Sequence, residues 1–143
     1  MPSKWMLRLF STIHVFLYRL FGGAIGARMN GLPVLLLTTT GRKTGKPRTK
    51  PLVYLRDGAD YIIAPGILAR PDWYLNLQLQ PNATIRVGQA KYVISAEEAA
   101  DETYSKLWEL APPYWHDYRR NYPGQMPLVI LRPNVTLNEK VER

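Results

Sequence analysis

Cysteine is absent from the 143 residues. That excludes disulfides and thiolate metal centres, and it suits a reducing compartment such as the cytoplasm. Histidine is scarce: only His14 and His116 occur. Neither a zinc site nor a Ser-His-Asp triad is expected from so few, and no metal site is expected at all. Acid is missing from the first 50 residues, which hold nine Lys and Arg. The rest of the chain is nearly balanced, with ten Lys and Arg against eleven Asp and Glu. The net charge of +8 is therefore a local property, and it points to an anionic ligand or surface near the N-terminal third. Internal repeats and low-complexity segments are also lacking.

What is present is the composition of a globular domain, 46% hydrophobic and 21% charged. The length is that of one domain with a proper core. Residues 4–21 predict an amphipathic helix. At about 100° per residue, Trp5, Met6, Leu9, Phe10, Ile13, Phe16, Leu17, Leu20 and Phe21 share one face. Lys4, Arg8, His14 and Arg19 fall on the other. The charges make the segment too short and too polar to span a bilayer. Three readings stay open: contact with an anionic membrane surface, packing on its own domain or a twin subunit, and a signal peptide. Gly22, Gly23 and Gly26 then form a linker, so residues 1–29 read as an N-terminal helix and linker ahead of a domain at 30–133.

The stretch at 34–56 organises that domain. An apolar, β-branched-rich run at 34–40 predicts a buried strand, and 51–56 a second one. Between them, residues 41–50 predict a loop, with Gly41, Gly45 and Pro47 as its breakers. This loop holds Arg42, Lys43, Lys46, Arg48 and Lys50 and no acid. Like charges repel unless an anion joins them, and glycine-freed N–H groups beside Arg and Lys suit phosphate or carboxylate. A solvated basic hairpin tip is the plainer reading. A P-loop is rejected, because the Gly41–Gly45 spacing is one residue short and Pro47 replaces the required Ser or Thr.

Further on, residues 57–60 predict a hairpin turn into a strand at 61–64. Residues 65–70 read as a loop. Pro71 and Asp72 suit the first turn of a short helix at 73–80, although Leu75, Leu77 and Leu79 alternate as a clean helix would not, so that helix leans on a family resemblance. Strands are expected at 83–87 and 89–94. Ser95-Ala96-Glu97-Glu98 predicts a capping box that opens a helix running to Leu110. Pro112 and Pro113 stop it, a second short helix follows at 114–120, and a last strand is expected at 126–132. Residues 134–143 read as a polar, frayed tail. The pattern is that of an α+β domain around an antiparallel sheet or barrel.

The sequence TTTGRKTGKPRTKPLVYL, followed by Asp72-Trp73-Tyr74-Leu75-Asn76-Leu77 and Gln80-Pro81-Asn82, resembles the deazaflavin-dependent nitroreductase family. The resemblance spans about residues 30 to 133. It implies a split β-barrel, coenzyme F420 as cofactor, and hydride transfer to a lipophilic, electron-poor acceptor such as a quinone, nitro compound or activated alkene. By the same match, Arg42, Lys43, Thr44 and Arg48 are the candidates to hold the anionic tail of the deazaflavin, Arg48 foremost because guanidinium binds such groups bidentately. Tyr74 and Asn76 are expected to face the cofactor, while Trp73 is expected to pack. Tyr114, Trp115, Tyr118 and Tyr122 are implied to line the acceptor pocket. Trp115, Tyr118 and Tyr122 would share one helical face, and a packed aromatic stripe is the plainer reading. Tyr118 is the candidate catalytic residue. His116-Asp117 is read as coincidence, because neighbours on a helix point apart.

One departure stands out. Many members carry Ser-Lys-Gly-Gly after the third strand, whereas this chain reads Ala64-Pro65-Gly66-Ile67-Leu68-Ala69-Arg70. Arg70 is the candidate to replace that lysine. An FMN-dependent split-barrel reductase and a membrane-associated lipid or cofactor carrier without catalysis stay open as alternatives. No nucleic-acid motif is present, and no nucleic-acid partner is expected. The chain is expected in the cytoplasm, with residues 4–21 as the part suited to the inner face of the cell membrane, as a monomer or homodimer.

Overall fold

The computed structural model describes residues 28–29, 32–66 and 69–137. The expected helix at 4–21, Ile67 and Leu68 lie outside the described residues. Eight strands are described: β1 (Arg28–Met29), β2 (Leu32–Thr40), β3 (Pro47–Val53), β4 (Leu55–Asp57), β5 (Asp60–Ile63), β6 (Asn82–Val87), β7 (Ala90–Glu98) and β8 (Val129–Leu137). Three helices accompany them: α1 (Asp72–Leu79), α2 (Asp101–Leu110) and α3 (Pro113–Arg120).

The order across the sheet is β1-β2-β6-β7-β8-β5-β4, and β3 pairs with the other side of β2. Every pairing is antiparallel. The far edges, β3 and β4, are consecutive in the chain and separated by Tyr54 alone. A sheet whose two edges are joined by one residue must curl until they meet. The result is a split barrel closed by the covalent chain, since the β3–β4 seam carries no ladder.

Strand periodicity sorts the core. Leu35 and Leu37 join Ile63, Tyr61, Ile85, Ile94, Val129 and Leu131 in one buried cluster, which Trp73, Tyr74 and Leu77 of α1 complete. The alternate residues Ile62 and Ile130 face a second cluster with Tyr104, Leu107, Trp108, Trp115, Met126 and Leu128. Helix α1 forms despite its alternating leucines: Leu77 is buried, Leu75 half-buried and Leu79 exposed. Extended Pro71 sets its start, and its carbonyl accepts from the Tyr74 and Leu75 N–H groups.

Several boundaries differ from the sequence expectation. Ser95–Glu98 is not a capping box. β7 runs through these residues, pairing Ser95 with Arg132 and Glu98 with Val129. Helix α2 starts only at Asp101, behind Ala100, which offers no side-chain cap. Ser95 instead donates to Asn82 Oδ1 at 3.4 Å and accepts from Asn134 Nδ2 at 2.8 Å. A long antiparallel ladder outweighs one local cap of about 1 kcal/mol. The same ladder corrects the tail, since β8 continues to Leu137 opposite Lys91. The ladder shifts register at Val93/Ile94, opposite Pro133, which has no N–H to give. At the basic hairpin, β3 begins at Pro47, so Arg48 and Lys50 are strand residues and the loop shrinks to residues 41–46. The strand expected at 51–56 is broken at Tyr54, whose N–H turns to the Pro33 carbonyl at 3.2 Å.

Candidate active site

The loop at 41–46 is tied into one shape. The Gly41 N–H donates to the Lys46 carbonyl at 2.8 Å, and the Gly45 N–H to the Gly41 carbonyl at 2.7 Å. Gly45 has φ +72°, a conformation that glycine adopts without strain. A Cβ on Gly41 would lie 2.9 Å from Thr44 Oγ1 and 3.1 Å from the Lys46 carbonyl, so a larger residue would push the loop's own contacts aside. Thr44 Oγ1 accepts from the Lys46 N–H at 3.2 Å and from Arg48 Nη2 at 3.5 Å.

Asn76 fixes this loop to α1. It is 2% exposed. Its Oδ1 accepts from the Arg42 N–H at 3.1 Å and from Arg42 Nη1 at 3.0 Å. Its Nδ2 donates to Thr39 Oγ1 at 3.0 Å. Both ends of the amide are therefore committed, and Asn76 acts as a brace. Both terminal nitrogens of Arg42 also donate to Asp72 Oδ1 at 3.3 Å.

Loop, helix and β2–β3 enclose a cleft of about 600 Å³. Arg42, Lys43, Arg48, Lys50 and Arg70 border it, with Asp72 as the single acid among the lining residues. Six of the expected site residues thus converge here: Arg42, Lys43, Thr44, Arg48, Arg70 and Asn76. Tyr74 does not. It lines a second cleft of about 500 Å³ with Arg70, Glu98, Asp101, Tyr104 and Tyr122. Arg70 borders both clefts.

In the second cleft, Tyr74 donates its hydroxyl to Glu98 Oε1. Burial, and next the bond to Glu98, push the Tyr74 phenol well above its ordinary value. Tyr122 donates to the Ala69 carbonyl, and burial raises its phenol too, against the opposing charge of Arg70. Both tyrosines stay neutral donors at physiological pH.

The remaining aromatics divide. Trp115 is 4% exposed and packs in the second core cluster. Tyr114 packs beside it, with its hydroxyl buried and without a hydrogen bond of ordinary geometry among the described residues. Burial raises the Tyr114 phenol, and the neighbouring Trp115 opposes the shift. Tyr118 is half-buried, edge-on to Tyr114 at 5.5 Å between ring centres, with its ring against Gly66. α3 ends at Arg120, so Tyr122 lies beyond the helix and the expected single face of Trp115, Tyr118 and Tyr122 does not form. His116 packs on Trp108 at 5.3 Å while Asp117 pairs with Arg120, so the two make no dyad. The sequence reading missed Asp72, Thr39 and Glu98. Asp72 and Thr39 lie 30 and 37 positions from the residues they hold, and no local motif marks such pairs.

The chain matches the family model described as F420H(2)-dependent quinone reductase over residues 10–133. An F420H(2)-dependent quinone reductase of Mycobacterium tuberculosis is 35% identical over 143 residues, which cover 90% of this chain and 96% of that protein. Among solved structures, an F420-H2 dependent reductase, FDR-A, superposes with a TM-score of 0.61 at 27% identity, covering 70% of this chain and 94% of its own. A chain described as a domain-swapped dimer superposes at 0.65 with 24% identity, over 92% of this chain and all of that one, and bears on the fold alone. Barrel, basic loop and sequence agree: the chain belongs to the F420H(2)-dependent quinone reductase family.

Proposed function

We propose that the protein is an F420H2-dependent quinone reductase whose basic cleft seats the anionic tail of the cofactor. The observation that carries this is the cleft itself, with five cations on a braced loop, strand and helix approach and one acid among its lining residues. That donor set fits phosphate and carboxylate groups. Its volume lies within the ordinary range for ligand sites, about 300–1,000 Å³. When bound, coenzyme F420 supplies two-electron reduction by hydride transfer, and the protein binds, orients and excludes water.

Arg48 and Lys43 hold tail oxygens, and Arg70 takes the part of the lysine that many relatives carry. Asn76 and Thr39 keep the loop in register, so little ordering is left to the binding step. Tyr118, beside Gly66, offers its phenol to the oxygen of a quinone as that oxygen gains negative charge. The FMN-dependent and non-catalytic carrier readings are not favoured by the family match.

The test is a titration of the purified protein with F420 and with FMN. Wild type is expected to saturate with F420. Arg48→Ala is expected to weaken binding about tenfold to a hundredfold, the worth of a charge-assisted contact of roughly 1.5–3 kcal/mol. Arg48→Lys should recover part of the loss, because the fork is gone but the charge remains. Saturation with FMN alone, or equal F420 binding by Arg48→Ala, defeats the reading.

Among the described residues no helix is long and apolar enough to cross a membrane. The lipophilic acceptor and the aromatic-rich face that the sequence predicts for residues 4–21 support peripheral membrane contact. Each cation near an anionic surface contributes about 1 kcal/mol, fading with salt. Sedimentation with anionic liposomes should pull down the full chain and leave a chain beginning at Asn30 in solution; equal binding refutes the contact.

A further inference from the structure

Asp72 is the single carboxylate among the residues lining the basic cleft. An acid in the first turn of α1 suits the helix dipole. That does not account for its aim. The carboxylate meets Arg42 through one oxygen, which both terminal nitrogens share at 3.3 Å. This is a long contact, not a side-by-side fork of two oxygens. It is also open to solvent, with 62% of the Asp72 side chain exposed. The Asn76 contacts to Arg42 are shorter, at 3.0 and 3.1 Å, and part-buried. Arg42 therefore has one firm anchor and one loose one. The firm anchor holds the loop backbone. The loose one occupies guanidinium hydrogens that face the cleft.

We propose that Asp72 is an internal counter-ion that sets the affinity of the cleft by competing with the anionic ligand for Arg42. The inference rests on the cleft being the seat of the cofactor's tail. Without ligand, the carboxylate relieves repulsion among Arg42, Lys43, Arg48, Lys50 and Arg70. When a phosphate or carboxylate enters, Arg42 exchanges the Asp72 oxygen for a ligand oxygen while Asn76 keeps the loop in place. Asp72 then stands beside the bound anion as a like charge. The geometry opposes very tight binding and favours exchange of the cofactor after each turnover.

The experiment measures F420 dissociation constants for wild type, Asp72→Asn, Arg42→Ala and the double variant, at low and at moderate salt. Glu109→Gln, the same change of charge on exposed α2 away from the cleft lining, is the control. Asp72→Asn is expected to bind about two- to fivefold tighter at low salt, the scale of an exposed ion pair. The gain should shrink as salt screens the charges. It should vanish when Arg42 is already Ala, and Glu109→Gln should show none. Equal or weaker binding by Asp72→Asn overturns the proposal. So does the same gain in the Arg42→Ala background, which would make Asp72 a general field and not a competitor. If wild type shows no saturable F420 binding, the cofactor reading itself fails, and this inference with it.

Discussion

The basic cleft and the aromatic cluster under α2 and α3 place their side chains by different forces. In the cleft, hydrogen bonds do the placing. Asn76 holds Arg42 and Thr39, and Thr44 holds the Lys46 N–H and Arg48. Thr44 and Arg48 remain exposed. Under the helices, burial does it. Trp115, Trp108 and Tyr104 are 4%, 3% and 7% exposed, and Tyr104 completes its site by donating to the Met126 carbonyl at 2.7 Å. Arg119 lies over the Trp108 ring at 4.4 Å and covers it from outside. Polar, directional placement leaves exposed side chains whose change costs the fold little. Apolar placement gives stability and tolerates no loss of volume.

The sharpest way to break this contrast is to exchange the expected effects. Trp115→Ala empties a buried site and should cost about 3–5 kcal/mol of stability, read as a lower urea midpoint. The fraction that stays folded should bind F420 as wild type does. Arg48→Ala should do the reverse, with a midpoint within about 0.5 kcal/mol of wild type and weakened binding. If Trp115→Ala loses cofactor affinity in the folded fraction, the two regions are not separable.

Tyr118 packs on the aromatic cluster, half-buried against Gly66 and Tyr114, and lines neither cleft. Tyr118→Phe keeps the ring and removes one hydroxyl. Turnover with quinones should fall on the order of tenfold, the worth of one hydrogen bond of about 1.4 kcal/mol, with the urea midpoint unchanged. Unchanged turnover across several acceptors would assign Tyr118 to packing.

The smallest effect concerns Tyr74, whose phenol is held neutral by burial and by Glu98. Its folded pKa lies above its unfolded value near 10, so its contribution is full below that pH. It is lost as pH rises from there toward the folded value. Stability should fall with pH above about 10. Tyr74→Phe should make that fall shallower and leave the slope near neutrality unchanged; the urea midpoint against pH checks it. Tyr61, Tyr114 and Tyr122, also raised chiefly by burial, account for a residual slope.

Some of this was legible in the residues. The apolar run in β2 and the glycine-bounded cationic loop each carry a local signal, apolar β-branched composition and backbone freedom, whereas the short helix after Pro71 leaned on the family resemblance because its leucines alternate. Charge bookkeeping pointed to the loop that borders the basic cleft, because all five of its cations lie in a stretch without acid. Local signals failed where a distant partner decided. Ser95–Glu98 has the form of a helix cap, yet β8 offered it a ladder, and hydrogen bonds along a whole strand outweigh one cap. Tyr74 and Asn76, two positions apart on α1, read as one cofactor-facing pair. Helical geometry sends them to different clefts, because residues two apart on a helix point to different sides. The chain by itself determined that a glycine-bounded loop between two strands would concentrate positive charge. Only the fold decided which cations face the cleft, which amide braces them and which carboxylate stands among them, since those contacts join residues 30 to 37 positions apart that come together only when the barrel closes.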